Sequence, residues 1–219
     1  MDSEKLASLR DGYNKLAVKY AERLFDELDH KPLDRLLLDR FADSVRDVGN
    51  VCDLGCGPGH VANYLHQRGV DVFGIDLSSA MVEEARQLCP GIEYKIGNML
   101  SLELETESIA GIVAFYSVIH VPRAEVVTAL SEMKRVLKPG GRLLLAFHIG
   151  DEVLHLDELW EESISVDFAF FQPEEMSGYI ERAGLEVEEI IEREPYGNVE
   201  YPSRRVYVFS KKPLASDAN

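Results

Sequence analysis

Residues 51 to 60 read VCDLGCGPGH: a short apolar run holding one aspartate, then glycines at positions 55, 57 and 59. Apolar residues at this density suit a buried strand, and closely spaced glycines let a chain leave that strand through a tight turn. With a helix following, the N–H groups of such a turn lie at the carboxyl edge of a parallel sheet, where open α/β folds bind ligands. A tight turn also needs glycine for steric reasons alone. The stretch therefore restricts the fold before it says anything about chemistry.

The rest of the chain continues a β/α rhythm. VANYLHQRG is a helix ended by Gly69, VDVFGID a second strand, and Ser78 or Ser79 caps the helix AMVEEARQL. IEYKIGN is a third strand, and IAGIVAFYSV a fourth whose near-continuous apolar run suits the covered centre of a parallel sheet. A helix over PRAEVVTALSEMKRVLK and a fifth strand, GRLLLAFHI, follow the same alternation, and LEVEEIIERE with RRVYVFSKK reads as an antiparallel closing pair. Before the glycine turn lie two helices, one over about 4–29 and one restarted at Pro32, with Leu33, Leu36, Leu37 and Phe41 as its apolar stripe.

Two acids then point to a ligand. Asp76 closes the second strand, where a carboxylate can accept from both hydroxyls of a ribose; capping the next helix is the bland alternative. Asp53 precedes the glycines, where an anion would repel a pyrophosphate and favour a cationic group such as an ammonium. A dinucleotide fingerprint would also place glycine at position 60, where this chain has His60.

VCDLGCGPG, GIDLS, GNM, FYSVIHV and RVLKPGGRLLL, in this order and spacing, resemble the successive motifs of class I S-adenosylmethionine-dependent methyltransferases of the small-molecule type. The resemblance covers about residues 45–150 and extends more weakly to the closing hairpin. It implies an α/β, doubly wound Rossmann-like sheet of seven strands in the order 3-2-1-4-5-7-6, strand 7 antiparallel, with an N-terminal helical cap. It implies S-adenosylmethionine as cofactor and S-adenosylhomocysteine as product. Carried over by position, Asp53, Gly55 and Gly57 would hold the methionine portion and Asp76 the ribose. Leu77 and Met99 would sandwich the adenine, and Asn98, where many relatives carry aspartate, would contact its amine; Met81 is a further cofactor-binding candidate. Phe115 and Tyr116 would face the sulfonium. Tyr13 and Tyr20, in GYNKLAVKY, resemble the YxxxAxxY element that closes the cofactor in some members, with ordinary helix-face packing as the other reading.

The expected organisation is a single methyltransferase domain over 1–219. It divides into a helical cap (1–46), a cofactor-binding core (47–149), a lid or acceptor segment (150–172), a closing helix and β-hairpin (173–211) and a flexible tail (212–219). Methyl transfer is an in-line displacement in which the protein aligns donor and acceptor and excludes water; a hydroxyl acceptor also benefits from a base. His120, after the fourth strand, is the candidate base and acceptor contact. His148, Phe171 and Arg204 are the other acceptor candidates, Arg204 competing with Arg205 because strand alternation sends the two to opposite faces.

The formal net charge of −16, with no basic cluster, opposes the counterion release on which nucleic-acid binding depends. No apolar run approaches the ~18 residues of a membrane span. The charged N-terminus lacks a secretory pattern, and three cysteines without paired spacing suggest neither disulfide nor metal site. The expected protein is a cytoplasmic monomer or homodimer acting on a small molecule at O, N or C. The alternatives are a non-catalytic methyltransferase-like scaffold or an aminopropyl transferase using the same pocket.

Overall fold

The computed structural model describes residues 3–197 and 199–214. Its centre is a seven-stranded sheet of β1 (Val51–Leu54), β2 (Val72–Asp76), β3 (Glu93–Ile96), β4 (Ile109–Phe115), β5 (Leu137–His148), β8 (Glu186–Arg193) and β9 (Arg205–Lys211). The strands lie in the order β3-β2-β1-β4-β5-β9-β8. β1 to β5 pair in parallel, and β9 runs antiparallel to both β5 and β8. With the strands of this sheet numbered one to seven along the chain, the order is 3-2-1-4-5-7-6, as the motifs imply.

Both faces of β4 are buried, which accounts for its unbroken apolar run. On one side α5 (Val126–Val136) and α6 (Pro173–Arg182) pack through Leu130, Met133, Met176 and Ile180 onto Ile112, Leu143 and Leu145. On the other side α2 (Pro32–Val45), α3 (His60–His66) and α4 (Ser79–Leu88) cover Val51, Val113 and Leu144. The sequence places α2 in a cap, yet Leu37, Leu38, Phe41 and Ala42 are fully buried against the sheet, so α2 is a core helix. Leu36, in the expected apolar stripe, faces solvent.

The covering element is α1 (Ser3–Leu24), which ends earlier than expected and is followed by a short 3-10 turn at Glu27–His30. It packs on a separate hairpin, β6 (Val153–Leu159) and β7 (Glu162–Ala169), which occupies the expected lid segment. Gly12 lets the two approach: a Cβ there would lie 2.8 Å from Val166 Cγ2. Leu16 fills the seam with Ile164 and Val166. Side chains on α1 also satisfy β7 carbonyls and the adjoining turn: Ser8 Oγ donates to Ser165 O, Lys15 Nζ to Ser163 O and Lys19 Nζ to Trp160 O, at 2.8 to 2.9 Å.

Of the segment expected to be a loose tail, residues 215–219 lie outside the described residues. Lys212, however, is held: its backbone pairs with Gly140 and Gly141 and its Nζ donates to Leu137 O at 2.8 Å. Cys52, Cys56 and Cys89 are free and buried. No described helix is long and apolar enough to cross a membrane.

Candidate active site

A cavity opens at the carboxyl ends of β1, β2 and β4, roofed by α1. Its walls bring together Tyr13, Tyr20, Gly55, Gly57, Asp76, Leu77, Met81, Asn98, Met99, Phe115, Tyr116 and His120, which the sequence places at a cofactor or its reacting end. The topology orders them across the sheet edge. Asn98 and Met99 follow β3, Asp76 and Leu77 end β2, the glycine turn ends β1, and Phe115 and Tyr116 end β4.

The glycine turn is built for close approach. Gly55 has φ +75°, and a Cβ on it would lie 2.3 Å from Ser117 Cβ; Ser117 Oγ in turn donates to Leu54 O at 2.7 Å. Gly57 has φ +51° and donates its N–H to Asp76 Oδ2 at 2.8 Å. Ser78 N donates to Asp76 Oδ1 at 2.9 Å, so each carboxylate oxygen is aimed by one backbone donor and retains lone pairs toward the cavity. Burial raises the Asp76 pKa, and these backbone bonds counter the rise. Ser78 Oγ also caps α4 by accepting from Met81 N at 3.1 Å.

Four expected site residues, Asp53, Phe171, Arg204 and His148, do not line the cavity. Asp53 does not line the cavity: its Oδ2 accepts from Ala62 N at 2.9 Å inside the first turn of α3, and burial pushes its carboxyl up to about 7. Its place before the glycines thus anchors the turn to the helix instead of presenting an anion to a ligand. Phe171 is fully buried edge-on against Phe147, beneath the Arg123 guanidinium, and has no face on the cavity. Arg204 is on the outer face, 52% exposed and paired with Glu192 and Glu194, whereas Arg205 is 3% exposed and turned inward toward Glu200. Strand alternation separates the two arginines; the inner face belongs to the second.

His148 lies behind the cavity wall. It stacks on Phe170 at 5.0 Å, tilts over Tyr116 at 5.2 Å and shares a 2.7 Å hydrogen bond between its Nδ1 and Ser203 Oγ. His120 is in the wall itself. Its Nδ1 lies 3.0 Å from Asp167 O, which can only accept, so Nδ1 carries the proton; Nε2 then accepts from the Tyr13 hydroxyl at 2.7 Å. Burial lowers the His120 pKa to about 4, with the Asp167 carbonyl opposing, and burial raises that of Tyr13 well above the usual phenol value. The resting pair is a neutral imidazole bonded to a neutral phenol.

Several residues in or beside the wall carry no sequence motif. Asn14 Oδ1 accepts from Ser78 Oγ at 2.7 Å and Ala80 N at 3.1 Å, tying α1 across the cavity to the start of α4. Glu27 and His60 close one end, His60 Nε2 lying 3.2 Å from Glu27 Oε1. The i, i+4 spacing of Glu27 and Lys31 is the signal available in the sequence, and it equally describes a solvated helix face.

A second cavity, about 720 Å³, lies between the first turns of α1, the β6–β7 hairpin and residues 119–123. Leu9, His120 and Val121 line both cavities, so His120 stands at their junction.

Residues 51–141 match a family model described as a methyltransferase domain. The chain thus carries a methyltransferase domain, set in a fold shared with S-adenosylmethionine-dependent methyltransferases. Among curated proteins, the chain is 32% identical over 162 residues to the malonyl-[acyl-carrier protein] O-methyltransferase of Pectobacterium atrosepticum, covering 70% of this chain and 61% of that protein. It is 34% identical over 116 residues to the demethylmenaquinone methyltransferase of Beutenbergia cavernae, covering 52% and 48%. Matches to such relatives span from 32% to 61% of their length. In fold it is similar to the CcbJ methyltransferase of Streptomyces caelestis, with a TM-score of 0.69 at 16% identity over 95% of this chain and 99% of that one. The residues present fit the cofactor of the class I methyltransferases. Asp76 holds both oxygens ready for a diol beside the glycine turn. Leu77 and Met99 offer apolar faces, and Asn98 directs its Oδ1 to Leu100 N at 3.0 Å with a further lone pair to spare.

Proposed function

We propose that this protein transfers a methyl group from S-adenosylmethionine to a small organic acceptor held in the second cavity. The observation that carries this reading is the position of His120, which lines both cavities and is bonded to Tyr13 on the cofactor side. S-adenosylmethionine, when bound, supplies an electrophilic methyl on a sulfonium. Asp76 would hold the ribose hydroxyls, Leu77, Met99 and Asn98 the adenine, and the Gly55–Gly57 turn with Tyr20, Phe115 and Tyr116 the remainder. The second cavity is within the range of small-molecule sites, and Leu9, Ile119, Val121 and Val166 give it an apolar lining interrupted by charged groups at its rim.

A hydroxyl acceptor is the class the Tyr13–His120 pair serves. For a hydroxyl reaching the junction of the two cavities, Tyr13 O would take up the acceptor proton while the Tyr13 proton moves to His120 Nε2. Nδ1–H stays on the Asp167 carbonyl throughout, so the ring is oriented before the step begins. Among the relatives, one is an O-methyltransferase and another a demethylmenaquinone methyltransferase.

The test is calorimetric titration with S-adenosylmethionine, S-adenosylhomocysteine and NADH, followed by an acceptor screen. The expected result is micromolar binding of the two sulfur nucleotides, none of NADH, and at least a hundredfold loss in Asp76→Ala. Tyr13→Phe should keep that affinity within about threefold and lose turnover of a hydroxyl acceptor by ten- to a thousandfold. Failure of the wild-type protein to bind either sulfur nucleotide would leave a methyltransferase-like scaffold.

A further inference from the structure

One end of the cofactor cavity is closed by a buried ionic cluster. Glu27 Oε2 lies 2.6 Å from Lys31 Nζ, and Lys31 reaches on to Glu200 at 3.6 Å. Glu200 also accepts from Arg193 and sits 3.2 Å from Arg205 Nε, while Arg193 meets Asp34 at 3.0 Å. Three acids, Glu27, Asp34 and Glu200, therefore face three bases, Lys31, Arg193 and Arg205, all largely withdrawn from solvent. Assembling so much buried charge is costly unless each ion is paired, and here each is.

Of these six side chains only Glu27 lines the cavity. A cluster that is neutral as a whole thus presents one carboxylate to whatever the cavity holds. Burial would raise the Glu27 pKa, but the His60 hydrogen bond and the Lys31 ammonium outweigh it and hold the group at about 2, so it stays anionic. Its surroundings place it beyond the glycine turn: His60 opens α3 directly after that turn, and the Tyr20 ring lies 3.8 Å from where a Gly57 Cβ would be. A ligand running from Asn98 past Asp76 and across Gly57 reaches Glu27 at its far end.

We propose that Glu27 binds the ammonium of the cofactor's amino-acid end, the contact that Asp53, turned into α3, does not make. The proposal rests on the cofactor reading above. Each oxygen of Glu27 has one protein partner and keeps a lone pair for a third donor. Because the cluster is neutral without the ligand, a zwitterionic end enters without leaving a net buried charge.

The test compares S-adenosylhomocysteine with 5′-methylthioadenosine, which keeps the adenosine and thioether but lacks the amino acid, and with the analogue of S-adenosylhomocysteine missing only its amino group. Glu27→Gln should weaken S-adenosylhomocysteine binding about ten- to a hundredfold and leave 5′-methylthioadenosine binding within twofold. For the deaminated analogue, wild type and variant should bind alike, closing the cycle on the ammonium. Equal weakening of all three ligands would assign Glu27 a structural role and overturn the proposal, as would unchanged S-adenosylhomocysteine binding. Should wild-type protein bind 5′-methylthioadenosine no better than NADH, the cofactor reading itself fails; Asp76→Ala, which should weaken all three ligands, separates that failure from this one.

Discussion

At His148 a ring meets two aromatic faces, a serine hydroxyl and two nearby cations, and it stays neutral. Burial is the main reason, reinforced by Arg205 and Lys31, and together they push its pKa down to about 3. The unfolded chain takes up this proton near pH ~6.5 while the folded chain does not until about pH 3, so the unfolded state binds more protons between them. Stability from this group is therefore fully present above about pH 7 and is lost as the pH falls. Asp53, pushed up to about 7, acts in the opposite sense over part of the same range, so the histidine term is read as a difference. The loss of melting temperature between about pH 7.5 and 4.5 should be smaller by a few degrees in His148→Phe than in wild type. Parallel curves would show that His148 is protonated in the folded protein. Single residues were also where the sequence was least legible. Motif position singles out Asp76 and Asp53 alike as candidates, but it cannot show that the Asp53 carboxylate turns into α3, since that depends on how α3 starts. Glu27 was invisible because its partners Lys31 and His60 resemble surface charges until the fold buries them.

The pairing of α1 with the β6–β7 hairpin makes one clamp from two elements far apart in sequence. Gly12 is its point of closest approach, a helical glycine whose conformational cost of about 1 kcal/mol relative to alanine is offset by contact with Val166 and Ile164. Gly12→Leu should destabilise the protein by about 1–3 kcal/mol through overpacking. It should also weaken S-adenosylhomocysteine binding, since Tyr13, Asn14 and Tyr20 ride on the same helix; thermal melts and calorimetry on one preparation check both. An unchanged affinity with a lowered melting temperature would separate the clamp from the cavity. The elements of the main sheet were legible because β/α alternation leaves a plain periodic trace, down to the Pro32 restart. The hairpin was not: in HLDELWEESISVDF the acids that face solvent dominate the composition, and the alternation of Ile164 and Val166 becomes meaningful only once α1 supplies something for them to face.

The molecule as a whole carries a formal charge of −16. S-adenosylmethionine carries one net positive charge and S-adenosylhomocysteine none, so the field of the whole protein attracts the first and ignores the second. Raising the ionic strength from about 0.02 to about 0.3 M shortens the Debye length from roughly 20 to roughly 6 Å. Stopped-flow association of S-adenosylmethionine should slow several-fold over that range, while that of S-adenosylhomocysteine stays nearly constant. Equal salt dependence for both would place the cavity outside the reach of the global field.

The contact between Ser8 and Ser165 spans 157 positions of the chain. Helix α1 leaves the ribosome before any strand of the sheet, yet its docking surface is among the later segments to emerge. Until β7 has been made, α1 has no hairpin to dock on and Tyr13 and Tyr20 remain unplaced, and loop closure over such a distance favours late docking. Helix α1 is then among the last elements to settle, because a nascent chain halted before residue 162 lacks the brace on which α1 docks.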